Sequence, residues 1–184
     1  IYIAHNILYI ILIITGFYYS RVQVDDSLRI NLAGRQRKKK KKIVKEILLY
    51  KIGEISSDKI INSFRVFSET QDALISGGPA PLDLELKVYR ELPATEDKES
   101  SSKLLDVKKM WGPVEKHAGE FISKKDDESL KHIISESEII LSAIDVSVSA
   151  VQMKSEKTSF IIRVIIICSF VMISALLFIS LIKR

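Results

Sequence analysis

The sequence predicts an all-α protein: an up-down four-helix bundle flanked by two transmembrane helices. Three observations carry this expectation. Two uncharged apolar runs lie at the ends, residues 1–20 and 164–182. Between them, apolar residues recur at spacings of three and four. Clusters of Gly, Pro, Ser and Asp then divide this middle part into four amphipathic stretches.

The apolar runs come first because they set the surroundings of everything else. About 20 apolar residues rising 1.5 Å each cross a hydrocarbon core roughly 30 Å thick. The run 164–182, bounded by Arg163 and by Lys183-Arg184, meets that length and is apolar on every face. The run 1–20 meets it if His5 and Asn6 are tolerated near one face, and Tyr18-Tyr19 suits an interfacial aromatic belt. A cleaved signal peptide is the alternative for the first run, but Tyr-Tyr-Ser-Arg is a poor cleavage site, so a retained helix is expected. Two spans place both ends on one side of the membrane. Lys183 and Arg184 favour the cytoplasm for that side, which leaves residues 21–159 extracytoplasmic. The expected division is a first transmembrane helix at 1–20, a helical-bundle sensor domain at 21–159, a second transmembrane helix at 160–182 and the start of a cytoplasmic linker at 183–184. The expected location is the inner, cytoplasmic membrane. The chain begins at Ile1 rather than Met and ends in Lys-Arg directly after an apolar run, so both ends are expected to continue in a longer protein.

The 184 residues carry a net charge of +5, and the 47% hydrophobic content is concentrated at the two ends. The single cysteine, Cys168, lies inside the second apolar run, which excludes an intrachain disulfide framework and a cysteine-based metal site.

From Val24 to Lys51 there is no Pro and one Gly, and Ile43, Ile47 and Tyr50 recur at helical spacing. One helix is expected to leave the first span and to close near Gly53. Ser56-Ser57-Asp58 is a capping signal for a second helix, with Ile60, Phe64, Phe67 and Leu74 on its apolar face. Gly77-Gly78, Pro79 and Pro81 break it. LDLELKVYREL alternates apolar and polar for a few residues, which fits a strand, a short helix or a covering loop; residues 95–102 are polar and turn-like. A third helix is expected from about Ser102 to Lys124, with Leu104, Val107, Trp111, Val114, Ala118 and Phe121 on one face and Pro113 kinking or restarting it. Asp126-Asp127-Glu128 reads as the acidic first turn of the fourth helix. Its expected heptad stripe is Leu130, Ile134, Ser137, Leu141, Ile144, Val148 and Val151, and it continues into the second apolar run at Phe160.

The stretch 30–46, INLAGRQRKKKKKIVKE, carries seven positive charges between Arg35 and Lys42. Its Asn31-Leu-Ala-Gly-Arg-Gln-Arg37 segment, followed by Lys42-Ile-Val-Lys-Glu46, resembles the signature of the N-terminal domain of type IV pili methyl-accepting chemotaxis transducers. That family is similar to the sensor domain of nitrate/nitrite sensor kinases. Trp111-Gly-Pro113 resembles the family's tryptophan-containing stretch, and the likeness covers roughly residues 24–155. The resemblance implies an extracytoplasmic, dimeric helical bundle that passes a signal through the membrane to a kinase or chemoreceptor output, in two-component signalling or chemotaxis. It also implies a site. In the nitrate-sensing relatives an Arg three residues after the motif Gly binds the anion between two protomers, which here is Arg37, three after Gly34.

The chemistry is sound on the residues alone. Arginine is permanently charged, and its planar fork of donors suits a planar oxyanion. Two Arg37 side chains facing across a two-fold axis repel, and an anion between them favours one packing of the helices. Gly34 permits close helix approach, Asn31 one turn earlier adds a polar contact, and Arg35 adds charge. Lys38–Lys41 depart from the family, which has Met-Leu-Ser-Gln here. Five successive lysines cover every face of a helix, so at least one points inward, where it is costly unless paired or snorkelling. This requires a distorted turn, compensating groups, a more highly charged anion, or no ligand. If residues 21–159 were cytoplasmic, the run would instead suit anionic lipid headgroups or nucleic-acid phosphate. No aromatic interleaving supports nucleic acid.

His5, His117 and His132 are scattered without ligand-like spacing, so surface or core-edge roles are expected and no metal site is assigned. No serine sits in a nucleophile elbow, and Gly77-Gly78-Pro79 is a loop rather than a phosphate cradle. The sequence thus holds no catalytic constellation and calls for no cofactor. Its expected partners are a second copy of itself, the membrane, a small anion and a downstream signalling domain or protein. The alternative is a membrane-anchored dimerisation or protein-interaction module without a small ligand.

Overall fold

The structure is a computed structural model that describes residues 2–83 and 85–182, with the side chains of residues 2–5 and 180 excepted. The readings that rest on the His5 side chain and on Lys183 and Arg184 lie outside the described residues. The element order is α1 (Tyr2–Lys51), α2 (Ser57–Ser76), β1 (Gly78–Pro81), β2 (Tyr89–Leu92), α3 (Lys98–Lys124) and α4 (Asp127–Ile182). The all-α expectation holds at the level of class, with one small hairpin added. The chain divides into two compact units, residues 28–152 and the paired segments 1–27 and 153–184.

In the unit 28–152, α1 ends where Gly53 takes φ 83°, with the Gly53 and Glu54 amides donating to the Tyr50 and Leu49 carbonyls at 3.0 Å each. α2 stops at Gly77, where φ is 77° and an added Cβ would lie 2.6 Å from the Ala94 amide nitrogen. No other residue type fits there without displacing backbone. The stretch left open between strand, helix and loop resolves into an antiparallel hairpin, with Gly78 opposite Leu92 and Pro81 opposite Tyr89. α3 starts at Lys98, earlier than the expected Ser102, because Asp97 caps it: its carboxylate accepts the Ser100 amide at 2.8 Å. Pro113 neither ends nor restarts α3. The missing proline donor frees the carbonyl one turn back, on Lys109, and both residues are exposed, so water can satisfy it. α3 closes at Lys125 in the left-handed conformation (φ 53°). Asp126 then caps α4, accepting the Ser129 amide at 2.7 Å; this bond, and the hydroxyl bond from the same serine, hold its carboxyl below the usual range.

One buried core draws on all four helices, with Ile43 and Ile47 from α1, Phe64 and Phe67 from α2, Trp111 and Phe121 from α3, and Ile133, Ile140 and Ile144 from α4. Trp111 stacks on Phe67 with ring centroids 3.9 Å apart. A second cluster under the hairpin joins Leu32, Leu74, Ala80, Leu92, Leu104 and Val151.

The heptad stripe of α4 needs correction. Leu130, Ser137, Ile144 and Val151 are buried as expected, but the intervening core positions are Ile133, Ile140 and Ser147. Ile134 is 41% exposed, and Leu141 and Val148 are only half-buried. Both phases have the same 3.5-residue period, and the pairs Ile133-Ile134 and Ile140-Leu141 are apolar in either, so periodicity cannot choose between them. Ser147 is tolerated inside because its hydroxyl donates to the Ile144 carbonyl at 2.8 Å.

In the unit formed by the terminal segments, two helices are long and apolar enough to cross a membrane. Their most apolar windows are 0% and 11% buried, which a core helix would not be. Phe17 and Phe170 point outward, as do Ile14 and Ile167. Where the apolar runs end, a polar cluster ties α1 to α4. Gln23 Nε2 donates to Tyr19 Oη at 2.8 Å and to Ser159 Oγ at 3.2 Å, and Arg163 Nε donates to Tyr19 Oη at 3.0 Å.

Candidate functional site

The motif segment of α1 is helical throughout, including all five lysines. The face defined by Ile43 and Ile47 runs backward through Lys40, Gln36 and Ala33 at spacings of three and four, all buried. Gln36, between the two motif arginines, is 1% exposed. Its Nε2 donates to the Phe67 carbonyl and to Gln71 Oε1 at 3.1 Å each, and Gln71 Nε2 donates to the Leu104 carbonyl at 2.7 Å. This chain of bonds joins α1, α2 and α3 through the interior. Gln36 was absent from the expected site residues, although extending the apolar periodicity backward from Ile43 by one heptad lands on it.

The lysine run is accommodated by compensating groups on an undistorted helix. Lys39 is 7% exposed, and its Nζ donates to Thr70 Oγ1 at 2.6 Å. Burial, reinforced by repulsion from Arg35, lowers its pKa to about 8. Lys40 is 3% exposed and reaches the rim, where its Nζ lies 3.1 Å from Glu138 Oε1. Lys42 pairs with the buried Glu46 at 3.2 Å, one turn ahead on the same helix. Lys38 and Lys41 face solvent.

The four expected ligand-binding residues fall in two groups. Asn31 is exposed, and an added Cβ on Gly34 would meet nothing within 4 Å, so both lie on a strip of α1 that faces away from its own bundle. Arg35 is committed to the hairpin, its Nη2 donating to the Leu82 carbonyl at 2.9 Å. Arg37, one turn after Gly34, forms an ion pair through Nε with Asp145 Oδ1 of α4, both side chains about half-exposed. Within one chain these residues therefore do not converge on a shared point. What the structure does bring together is Arg37 and Asp145, a charged link between α1 and α4.

Among the described residues, polar groups also cluster in two places within the unit 28–152. A groove of about 360 Å³ between α2 and α3 is lined by Phe64, Arg65, Glu69, Asp72, Glu115 and Ile122, among others. Burial, with repulsion from Asp72, raises the pKa of Glu115 there. The second place corrects the expectation that the histidines are scattered. His117 of α3 and His132 of α4 stack with ring centroids 4.8 Å apart, beside Glu120 and Glu136. The signal that finds them is the tight turn at Lys125: residues at similar distances on either side of it face each other across an antiparallel helix pair.

No protein-family model, curated protein or solved structure matches this chain.

Proposed function

We propose that this chain is the membrane-anchored, extracytoplasmic input module of a bacterial signal transducer of the sensor-kinase or chemoreceptor type, an up-down four-helix bundle working as a homodimer. The observation that carries the reading is that α1 and α4, the helices that extend into the two outward-facing apolar segments, are also the helices joined by the Arg37–Asp145 pair. A ligand acting on that pair acts directly on the two helices that reach the membrane. An exposed ion pair contributes no more than about 1 kcal/mol, so an oxyanion can displace Asp145 from Arg37 at small cost. Released from Asp145, Arg37 is free to share the anion with the Arg37 of a second copy. Asn31 and Gly34, on the open strip of α1, leave room for that copy, and Arg35 holds the hairpin beside it. The exposed residues Ile139, Val146 and Met153, one heptad apart on α4, support self-association.

The test is thermal unfolding of the full chain in detergent micelles against a panel of oxyanions. At least one anion is expected to raise the Tm. Arg37→Ala should remove that rise, and Asp145→Asn should enlarge it by removing the competing carboxylate. A rise that survives Arg37→Ala contradicts the role given to this residue. The second reading, an interaction module without a small ligand, is favoured by the fact that Arg37 is already neutralised by Asp145; an intact dimer that no anion stabilises would support it.

A further inference from the structure

We infer that His117, His132 and Glu136 form a binding site for a divalent transition metal of the Zn²⁺ class, clipping α3 to the start of α4. The site does not depend on the sensor reading. One ligand atom from each of the three residues lies within 4.8 Å of the others. His132 and Glu136 are one turn apart on α4 and so share a face, and His117 meets them from α3. Tetrahedral Zn²⁺ holds nitrogen and oxygen ligands at about 2.0–2.2 Å, which puts neighbouring ligand atoms roughly 3.3 Å apart. The ligand atoms are the ends of rotatable side chains at a half-exposed site, so side-chain rotation can bring them together.

The environment of His117 gives the strongest indication. Its Nδ1 lies 3.2 Å from Glu120 Oε2, one turn along α3. A carboxylate accepting from Nδ1–H fixes the imidazole tautomer and leaves a lone pair on Nε2, the arrangement that orients metal-bound histidines. That Nε2 faces Glu136 Oε1 at 3.7 Å, and the other carboxylate oxygen, Glu136 Oε2, is buried without a hydrogen-bond partner. A lone pair and a carboxylate oxygen 3.7 Å apart are two donors that a metal ion between them would satisfy together. The nearly parallel His132 ring brings a second imidazole to the same place, with the ligand atoms of all three residues within 4.8 Å of one another. Glu120 is the orienting group rather than a ligand, since its other oxygen faces Lys116 at 3.9 Å. Two imidazoles and one carboxylate suit Zn²⁺, Ni²⁺, Co²⁺ or Cu²⁺ and disfavour Mg²⁺ and Ca²⁺, which take all-oxygen shells. The fourth position is open to water.

The consequence is mechanical. A bound ion ties His117 near the end of α3 to the first turns of α4, the helix that continues to Ile182.

The experiment is titration of the full chain in detergent micelles with ZnCl₂, followed by calorimetry, and with CoCl₂, followed by the visible bands of four-coordinate Co²⁺. A single high-affinity equivalent is expected, with a raised Tm. His132→Ala and Glu136→Gln should each weaken binding by about 100-fold or more, and Glu120→Gln by about 10-fold. His132 is exposed, so its replacement leaves the fold intact, which far-UV circular dichroism checks. No binding by the native chain would overturn the site. Binding that survives both His132→Ala and Glu136→Gln would place the ion elsewhere and equally overturn it. Equal binding of MgCl₂ would overturn the metal class.

Discussion

Helices α1 and α4 each present two different surfaces along one continuous element. Between residues 28 and 152 they bury a narrow apolar stripe, with Ile43, Ile47, Ile140 and Ile144 each 1% exposed. In the terminal segments most of the large apolar side chains point outward: Ile14 is 62% exposed and Phe170 63%. The difference teaches that one helix can be written for two solvents. A seven-residue repeat selects a protein partner for one stretch, while an unbroken apolar surface needs no such partner and suits lipid. The polar groups divide the same way. In the inner stretch Gln36, Lys39 and Lys40 are buried and each has a partner, whereas Tyr19, Gln23, Ser159 and Arg163 gather where the apolar runs stop.

Substitutions on either side of this contrast should differ sharply. The largest effect is expected at Trp111, 3% exposed and stacked on Phe67. Trp111→Ala should cost about 3–5 kcal/mol by chemical denaturation of the chain in micelles. A loss below about 1 kcal/mol would mean that this interior is not close-packed. Gly77→Ala comes next, at about 1–3 kcal/mol, because positive φ and the Ala94 backbone both oppose a Cβ.

Lys39→Met should stabilise the fold by about 2–3 kcal/mol at neutral pH, with a pH signature that identifies the cause. The folded-state pKa of about 8 lies below the ordinary value of 10.5. Between those values the unfolded chain binds more protons, so the native chain gains stability as pH rises through this window. The advantage of Lys39→Met should therefore be full below pH 8 and gone above about 10.5. A pH-independent difference would assign the effect to packing instead. The smallest change is expected for Phe170→Ala, within about 0.5 kcal/mol, since that ring exchanges one apolar environment for another. A loss comparable to that at Trp111 would show the ring packed against protein and would erase the contrast.

How much of this was legible in the sequence depended on whether a local signal existed. The ends of α1 and α2 were legible because Gly53 and Gly77 adopt conformations that glycine favours. Asp97 was missed as the cap of α3 because a polar stretch hides a cap as easily as it marks a turn. The hairpin was ambiguous because Leu92 supplies its only strongly buried side chain in β2. The phase of α4 was not legible, since the apolar pairs Ile133-Ile134 and Ile140-Leu141 satisfy both choices and Val148 favours the one the fold does not use. At the candidate site, the charges of Arg35 and Arg37 stood out in the sequence, but their partners Leu82 and Asp145 are distant in it. Gln36 was readable by extending the core periodicity and was hidden by the charges around it. The meeting of His117 and His132 depended on the turn at Lys125, where a lysine occupies a conformation more often given to glycine.

The central claim is that both apolar segments cross the membrane and hold residues 28–152 outside the cytoplasm. Site-directed labelling tests it most directly, with Lys87→Cys in the hairpin loop of a Cys168→Ser background and a membrane-impermeant maleimide applied to intact bacterial spheroplasts. Labelling in intact spheroplasts is the expected result. Labelling only after lysis would place the bundle in the cytoplasm and contradict the account.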